Sequence, residues 1–380
     1  MVNRTWNPYI KSVPTSKKLK LRCFEDMANK NKNPGTLKPG TTGNEILYII
    51  KQYGNYPEEK VKELIIDKKP DTIRKAIKRL ENSGYVIRRK GINGEIIIGL
   101  TRFARELLSV DETRIATTPK KLSRIASLAI TSMVFEKSCP TINSTNTVQH
   151  EFYESKETIL KANPGCEKIL NISRMVGVYH HYDEIIPVFK LGTSMYWVDN
   201  AERSVKEYME QRIYNVPITK AIFLIENYEI EAMRFIKVPE GVRNSGSSLR
   251  ESLEFSSCYQ KVFLFSTNWI GIKQLKLFRS FQNIEELFLE AVFEINQRNR
   301  SDDTVVDGYI DNINCIVLFS GDIIKIKKIS RILDAGMLDH VNIICYDFQE
   351  DFLRTVFEEW NARVVYNSYS IEELKEVFNF

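Results

Sequence analysis

The sequence predicts a C-terminal α/β body with a mixed, mostly parallel sheet, preceded by a small basic α+β module. Three observations predict it. From residue 144 onward, short apolar runs alternate with amphipathic stretches of helical length, the pattern of strands joined by helices. Between residues 44 and 108, three helical stretches precede two β-rich runs around a glycine-bearing tip, and a further helix closes the segment. Charge is divided as well: residues 1–130 hold 27 Lys and Arg against 13 Asp and Glu, whereas residues 131–380 hold 27 against 36. A basic front and an acidic rear point to a polyanionic partner for the front alone.

At 380 residues the chain is long enough for two or three domains, and its 43% hydrophobic content excludes global disorder. The expected divisions are a basic leader (1–43), the α+β module (44–110), a linker helix (111–143) and the α/β body (144–380), itself divided near 240–258. Lys17, Lys18, Lys20 and Arg22 make the leader basic, and Asn33-Pro34-Gly35 and Lys38-Pro39-Gly40 are turn signals in it.

In the module, Glu45 to Gln52 reads as a first helix with Ile46, Leu47, Ile49 and Ile50 inward. Pro57 can open a second, Glu58 to Ile66. The third begins at Asp71, a candidate N-cap, and ends at Gly84, which can adopt the left-handed conformation that closes a helix. Ile73, Ala76, Ile77 and Leu80 fall at helical spacing and form one apolar stripe. Tyr85 to Lys90 and Glu95 to Leu100 then read as a hairpin around Gly91-Ile92-Asn93-Gly94, and Thr101 caps a closing helix. This order is that of a winged helix-turn-helix. Cations on the third helix displace counterions from phosphates, and its outward side chains can read base edges in the major groove of double-stranded DNA. The candidate contacts are Thr72, Arg74, Lys75, Lys78 and Arg79 on the helix and Arg88, Arg89, Lys90 and Asn93 on the wing.

Lys120 to Phe135 reads as a helix that links the halves or dimerises, with Lys120, Lys121 and Arg124 as further candidates for phosphate contact. In the body, Asn146 to Lys161 reads as a helix, Ser173 to Tyr179 and Glu184 to Leu191 as a strand hairpin, and Ala201 to Arg212 as a helix. Buried strands follow at 220–225 and 261–265, with a helix at 228–235 and a loop at 239–246 between them. Further strands are expected at 313–319, 341–346 and 362–366, each leading into a helix.

The search for catalytic chemistry assigns no catalytic, cofactor or metal residue. HExxH, Walker A and GxSxG patterns are absent. His180 and His181 are adjacent on a predicted strand, so they face opposite ways, as surface hairpin residues rather than one metal site. Phe319-Ser320-Gly321-Asp322 lies where α/β sheets often bind ligands, but a single glycine is a weak signal. Ser256, Ser257 and Asn268 lie near strand ends with no partner histidine. The six cysteines form no CxxC pair, and Met1 to Pro8 lacks a signal-peptide core; no run reaches the roughly 20 apolar residues of a membrane helix. A cytoplasmic protein with no membrane contact is expected.

"LENSGYVIRR" at 80–89 and "LTRFARELL" at 100–108, followed by an α/β body, are similar to the replication-relaxation family of plasmids and mobile elements. Further back, "NISRMVGVY", "DEIIPVFKLG" and the helix around Arg203 to Gln211 carry a weaker match. The resemblance implies a winged helix followed by a relative of the PD-(D/E)XK, restriction-endonuclease-like fold. That nuclease pattern needs an acid on one strand and acid-x-Lys on the next, to hold a metal and assist a water. Here the first strand offers Arg174-Met175-Val176-Gly177 and the second Val188-Phe189-Lys190, with Val where the acid belongs. The expected function is therefore sequence-specific DNA binding in replication, conjugation or transcription, by a homodimer or homo-oligomer. The silent, acidic body would serve oligomerisation or a protein partner. Two alternatives stay open: a metal-dependent nuclease built on Asp183, Glu184 and Lys190, and an adaptor whose module binds protein.

Overall fold

The structure, a computed structural model, describes residues 42–65, 68–110, 118–139, 151–171, 173–191, 200–226, 258–281, 283–294, 297–298, 305–360 and 362–378. The leader, the helix at 228–235, the loop at 239–246, the division near 240–258, Ser256 and Ser257 lie outside the described residues. The chain is a mixed α/β protein that divides into two compact units, Met1–Ala129 and Ile130–Phe380.

Among the described residues, unit 1 begins with α1 (Thr42–Tyr53), which buries Ile46, Leu47, Ile49 and Ile50. The extended pair β1 (Tyr56–Pro57) leads into α2 (Glu58–Leu64), with Pro57 as its N-cap residue. α3 spans Pro70–Asn82 and buries Ile73, Ile77 and Leu80. The sequence places its cap at Asp71, but the observed cap falls two residues earlier and the helix begins at Pro70. Lys69 is the N-cap residue and makes no side-chain cap bond, and Pro70 fills a first-turn position where its missing amide costs nothing. Gly84, at φ +74°, closes α3: the Tyr85 amide donates to the Leu80 carbonyl at 2.9 Å and the Gly84 amide to Glu81 at 3.0 Å. A side chain would be strained in that left-handed backbone.

The chain then forms β2 (Val86–Lys90) and β3 (Ile96–Leu100), antiparallel, with Val86 opposite Leu100 and Lys90 opposite Ile96. β1 pairs with the other edge of β3. Thr101 caps α4 (Arg102–Leu108), its hydroxyl accepting the Ala104 amide at 3.1 Å. The division between units falls inside the following helix, α5 (Pro119–Lys137).

Unit 2 contains two mixed sheets. The first has five strands in the order β4 (Glu151–Ser155), β5 (Met175–His181), β6 (Glu184–Lys190), β7 (Lys220–Ile225) and β8 (Lys261–Ser266). β4, β5 and β6 are antiparallel, and β6, β7 and β8 are parallel. The helices α6 (Lys156–Ala162) and α7 (Glu167–Leu170) lie between β4 and β5 in sequence, and α8 (Asn200–Tyr208) between β6 and β7. After β8 come α9 (Trp269–Ser280) and α10 (Ile284–Val292).

The second sheet is built from β9 (Gly308–Ile310), β10 (Ile313–Val317), β11 (Val341–Tyr346) and β12 (Val364–Tyr369), with α11 (Ile323–Asp334), α12 (Asp347–Val356) and α13 (Ile371–Val377) following the last three strands. β10, β11 and β12 are parallel, and β9 is antiparallel to β10. Asp311 and Asn312 turn that hairpin at φ +50° and +63°, a backbone these residues tolerate better than most. One core cluster draws on both sheets, including Phe189, Phe223, Leu264, Ile316, Ile326 and Ile343.

The stretch 146–161, read as one helix, is instead strand β4 from Glu151 and helix α6 from Lys156; residues 146–150 lie outside the described ones. Tertiary pairing decides this. Tyr153 lies opposite Tyr179 in the ladder, and Ser155 ends the strand by capping α6, its hydroxyl accepting the Thr158 amide at 3.2 Å. Glu151 takes two bonds from the Arg279 guanidinium, at 2.8 and 3.0 Å, and one from the Tyr179 hydroxyl at 2.7 Å. Arg279, 6% exposed, also donates to the Phe135 carbonyl and to the Ser138 hydroxyl.

Candidate nucleic-acid interface

α3 separates its side chains cleanly. Ile73, Ile77 and Leu80 are buried, while Thr72, Arg74, Lys75, Lys78 and Arg79 are exposed. Arg74 and Lys78 are one turn apart, as are Lys75 and Arg79, so the cations form two rows along one solvent face. Like charges at that spacing destabilise an isolated helix by about 0.2–0.5 kcal/mol a pair. Arg74 is tempered by Asp71 at 3.0 Å, both side chains well exposed. Among the described residues, Lys75, Lys78 and Arg79 have no ion-pair partner.

The hairpin sorts the remaining candidates by strand alternation. Arg88 shares the face of buried Val86 and turns inward, reaching Glu58 at 2.9 Å and Glu81 at 3.5 Å. It is a brace between β2, α2 and α3, and its charge is already matched. Arg89 lies on the opposite face with exposed Ile87 and is itself half-buried; Lys90 and Asn93 are exposed. The tip is held tightly. The Asn93 amide donates to one Glu95 oxygen at 2.9 Å, the Ser123 hydroxyl donates to the other, and the Ile92 amide donates to the Ser123 oxygen at 2.9 Å. A Cβ on Gly91 would collide with the Glu95 carboxylate and the Ser123 hydroxyl, so this clasp needs glycine there or must open.

The sequence reading missed two features of this surface. Ile92, at the tip, is 59% exposed, and its place in the turn is the only signal for it. Ser123 fastens the tip from α5, across a sequence separation that local patterning does not reveal.

The alternative nuclease residues are not brought together. Glu184 begins β6 and pairs with Lys220 at 2.6 Å; Lys190 ends the same strand, its side chain buried and 3.2 Å from Glu226. Six residues of strand separate them by about 20 Å. His180 and His181 do face opposite ways, but His181 is 2% exposed, not on the surface. It stacks on Phe278, and burial holds its imidazole below the usual range. His180 stacks on Phe152 and lies 3.1 Å from Glu154. Among the described residues, no three His, Cys, Asp or Glu side chains converge as a metal site requires.

The Ser320-Gly321-Asp322 turn is structural. Asp322 is buried, caps α11 through the Ile324 amide at 3.0 Å and accepts the Val262 amide of β8 at 3.1 Å, tying the two sheets. Beside it, Lys325 bonds to Asp307 at 2.8 Å and to Glu285 at 3.3 Å, while Glu285 accepts the Ser320 hydroxyl at 2.6 Å. The two carboxylates raise the lysine above its usual range, against its burial, so it stays charged and satisfied.

Among the described residues, no helix is long and apolar enough to cross a membrane. Comparison of the chain with protein-family models, with curated proteins and with solved structures found no match.

Proposed function

We propose that this chain binds double-stranded DNA through unit 1, with α3 as the reading helix and the β2–β3 hairpin as the wing of a winged helix-turn-helix. The single observation that carries the reading is the outer face of α3. Lys75, Lys78 and Arg79 stand exposed and, among the described residues, unpaired, at the cost of like-charge repulsion that the fold itself does not need. A duplex supplies the missing anions. Phosphate contacts give salt-sensitive affinity, and a helix of this width enters the major groove, where Thr72, Arg74 and Lys78 can meet base edges. Lys90 and Asn93 contact the adjoining backbone from the wing, and Arg88 is left out of the interface because Glu58 already holds it.

The resemblance to replication-relaxation proteins fits this reading. The succession β4, β5, β6, α8, β7 supplies a scaffold for its nuclease-like body, with no acid in acid-x-Lys position on β6. Binding without cleavage, by a homodimer acting in the cytoplasm on replication, conjugation or transcription of a mobile element, is the form of the proposal. The acidic body would assemble the dimer or hold a protein partner. In such a dimer the two copies of α3 stand about 34 Å apart, one duplex turn.

The test is equilibrium binding of the full chain to labelled duplexes over a salt series. Replacing Lys78 and Arg79 by Ala should flatten the slope of log affinity against log salt by about one unit for each phosphate left without its cation. Binding identical to the parent protein would rule the surface out. A magnesium or manganese plasmid-cleavage assay bears on the nuclease alternative: cleavage abolished in Asp183→Ala would replace the present reading.

A further inference from the structure

Unit 1 carries a further run of positive charge outside α3 and the hairpin strands. We propose that the first turns of α5 are a second phosphate-binding surface for duplex DNA, lengthening the footprint beside the wing. This rests on the DNA-binding reading above.

The packing of α5 decides which way its charges point. Leu122 and Ala126 are buried in a cluster with Ile97 of β3, and Ile125 packs against it. Ser123 is fastened to the wing tip through Ile92 and Glu95. At 100° per residue, positions 122, 123 and 126 define the arc facing the hairpin, and positions 120, 121 and 124 fall on the opposite arc. Lys120, Lys121 and Arg124 are accordingly exposed. The tip and this helix are thus held as one piece, with the cations on its outside.

The chemistry of the strip selects its occupant. No acidic residue occurs from position 113 to 135. On α2, by contrast, the surface lysines are neutralised on their own helix: Lys60 by Glu63 at 2.9 Å and Lys62 by Glu59 at 2.7 Å. Lys120 and Lys121 have no ion pair among the described residues. From 119 to 129 the exposed side chains are Pro119, Lys120, Lys121 and Arg124, so the strip lacks the large apolar or aromatic anchors on which protein interfaces depend. Phosphates need only the charge.

The experiment uses the full chain, a labelled random-sequence duplex and a Lys120→Ala/Lys121→Ala variant. Withdrawing two cations from the phosphates should make the salt slope shallower by about 1.8, so the affinity lost between about 50 and about 200 mM salt should shrink about tenfold. A Lys120→Arg/Lys121→Arg variant should keep the parent slope, which separates removal of charge from damage to the helix. If the parent binds with its salt dependence and the Ala variant matches it, the strip lies off the DNA; this inference falls and the function reading stands. If the parent shows no salt-dependent binding, both fall.

Discussion

Glu58 and Arg88 are joined at 2.9 Å across thirty residues of sequence, and Glu81 reaches the same guanidinium at 3.5 Å. This pairing turns one of the hairpin's three consecutive cations into part of the framework. Arg88→Ala should therefore lower the stability of unit 1 by about 1–2 kcal/mol, a value discounted for partial solvent access. The salt slope of DNA binding should stay at its parent value below the unfolding transition. Urea titration and the salt series together check this; a flattened slope with unchanged stability would put Arg88 on the DNA.

Ile92 makes the opposite prediction, because it projects from the tip while its amide is held by Ser123. If the hairpin meets DNA as proposed, Ile92→Asp puts a negative charge on its exposed tip, facing the phosphates. It should weaken duplex binding about tenfold, equivalent to about 1.4 kcal/mol. The melting temperature should not move, since the side chain packs against little. Equal affinities for the two proteins would place the tip outside the interface.

In unit 2, the two-pronged contact of Arg279 with Glu151 is inside the protein, not on its rim. Arg279→Ala would leave the carboxylate without its cation, with only the Tyr179 hydroxyl still bonded to it, and should cost about 3–5 kcal/mol, the usual penalty for breaking a buried pair. Arg279→Lys keeps the charge but not the fork and should cost less. Denaturation midpoints followed by tryptophan fluorescence give the ranking, and an Ala variant as stable as the parent would refute it.

Asp322 yields a pH prediction. Burial pushes its carboxyl up to about 6, partly opposed by the amides of Val262 and Ile324. The folded-state value is raised, so the contribution is fully present below the unfolded value near 3.8 and is lost as pH rises through about 6. Asp322→Asn retains an oxygen for both amides without a buried charge. Its stability relative to the parent should therefore improve from pH 5 to pH 8; the reverse trend would show that the charge itself binds the sheets together.

The residues that were legible in the sequence are those with local causes. Ile73, Ile77 and Leu80 announced the buried stripe of α3, and Gly84 its end, because both depend on nearest turns. Thr101 was readable as a cap for the same reason. Arg88 and Arg89 look equivalent in the sequence, yet strand alternation alone would have parted them, and Glu58 then claims the first. The strand at Glu151–Ser155 was not legible because its partners, Tyr179, Arg279 and Tyr214, lie 28, 128 and 60 residues from the acids they bind. For Asp71 the error was one of competition: proline opened the helix first, and the carboxylate turned to Arg74 instead.

The paired rows of cations on α3 also govern how the free protein responds to its medium. Crowded positive charge relaxes as counterions condense, so adding simple electrolyte should raise the melting temperature of unit 1, the reverse of a surface knit by attractive pairs. A flexible sulfated polysaccharide should do the same at far lower concentration, because it presents many anions on one chain. Purification from dilute buffer would then expose this unit at its weakest.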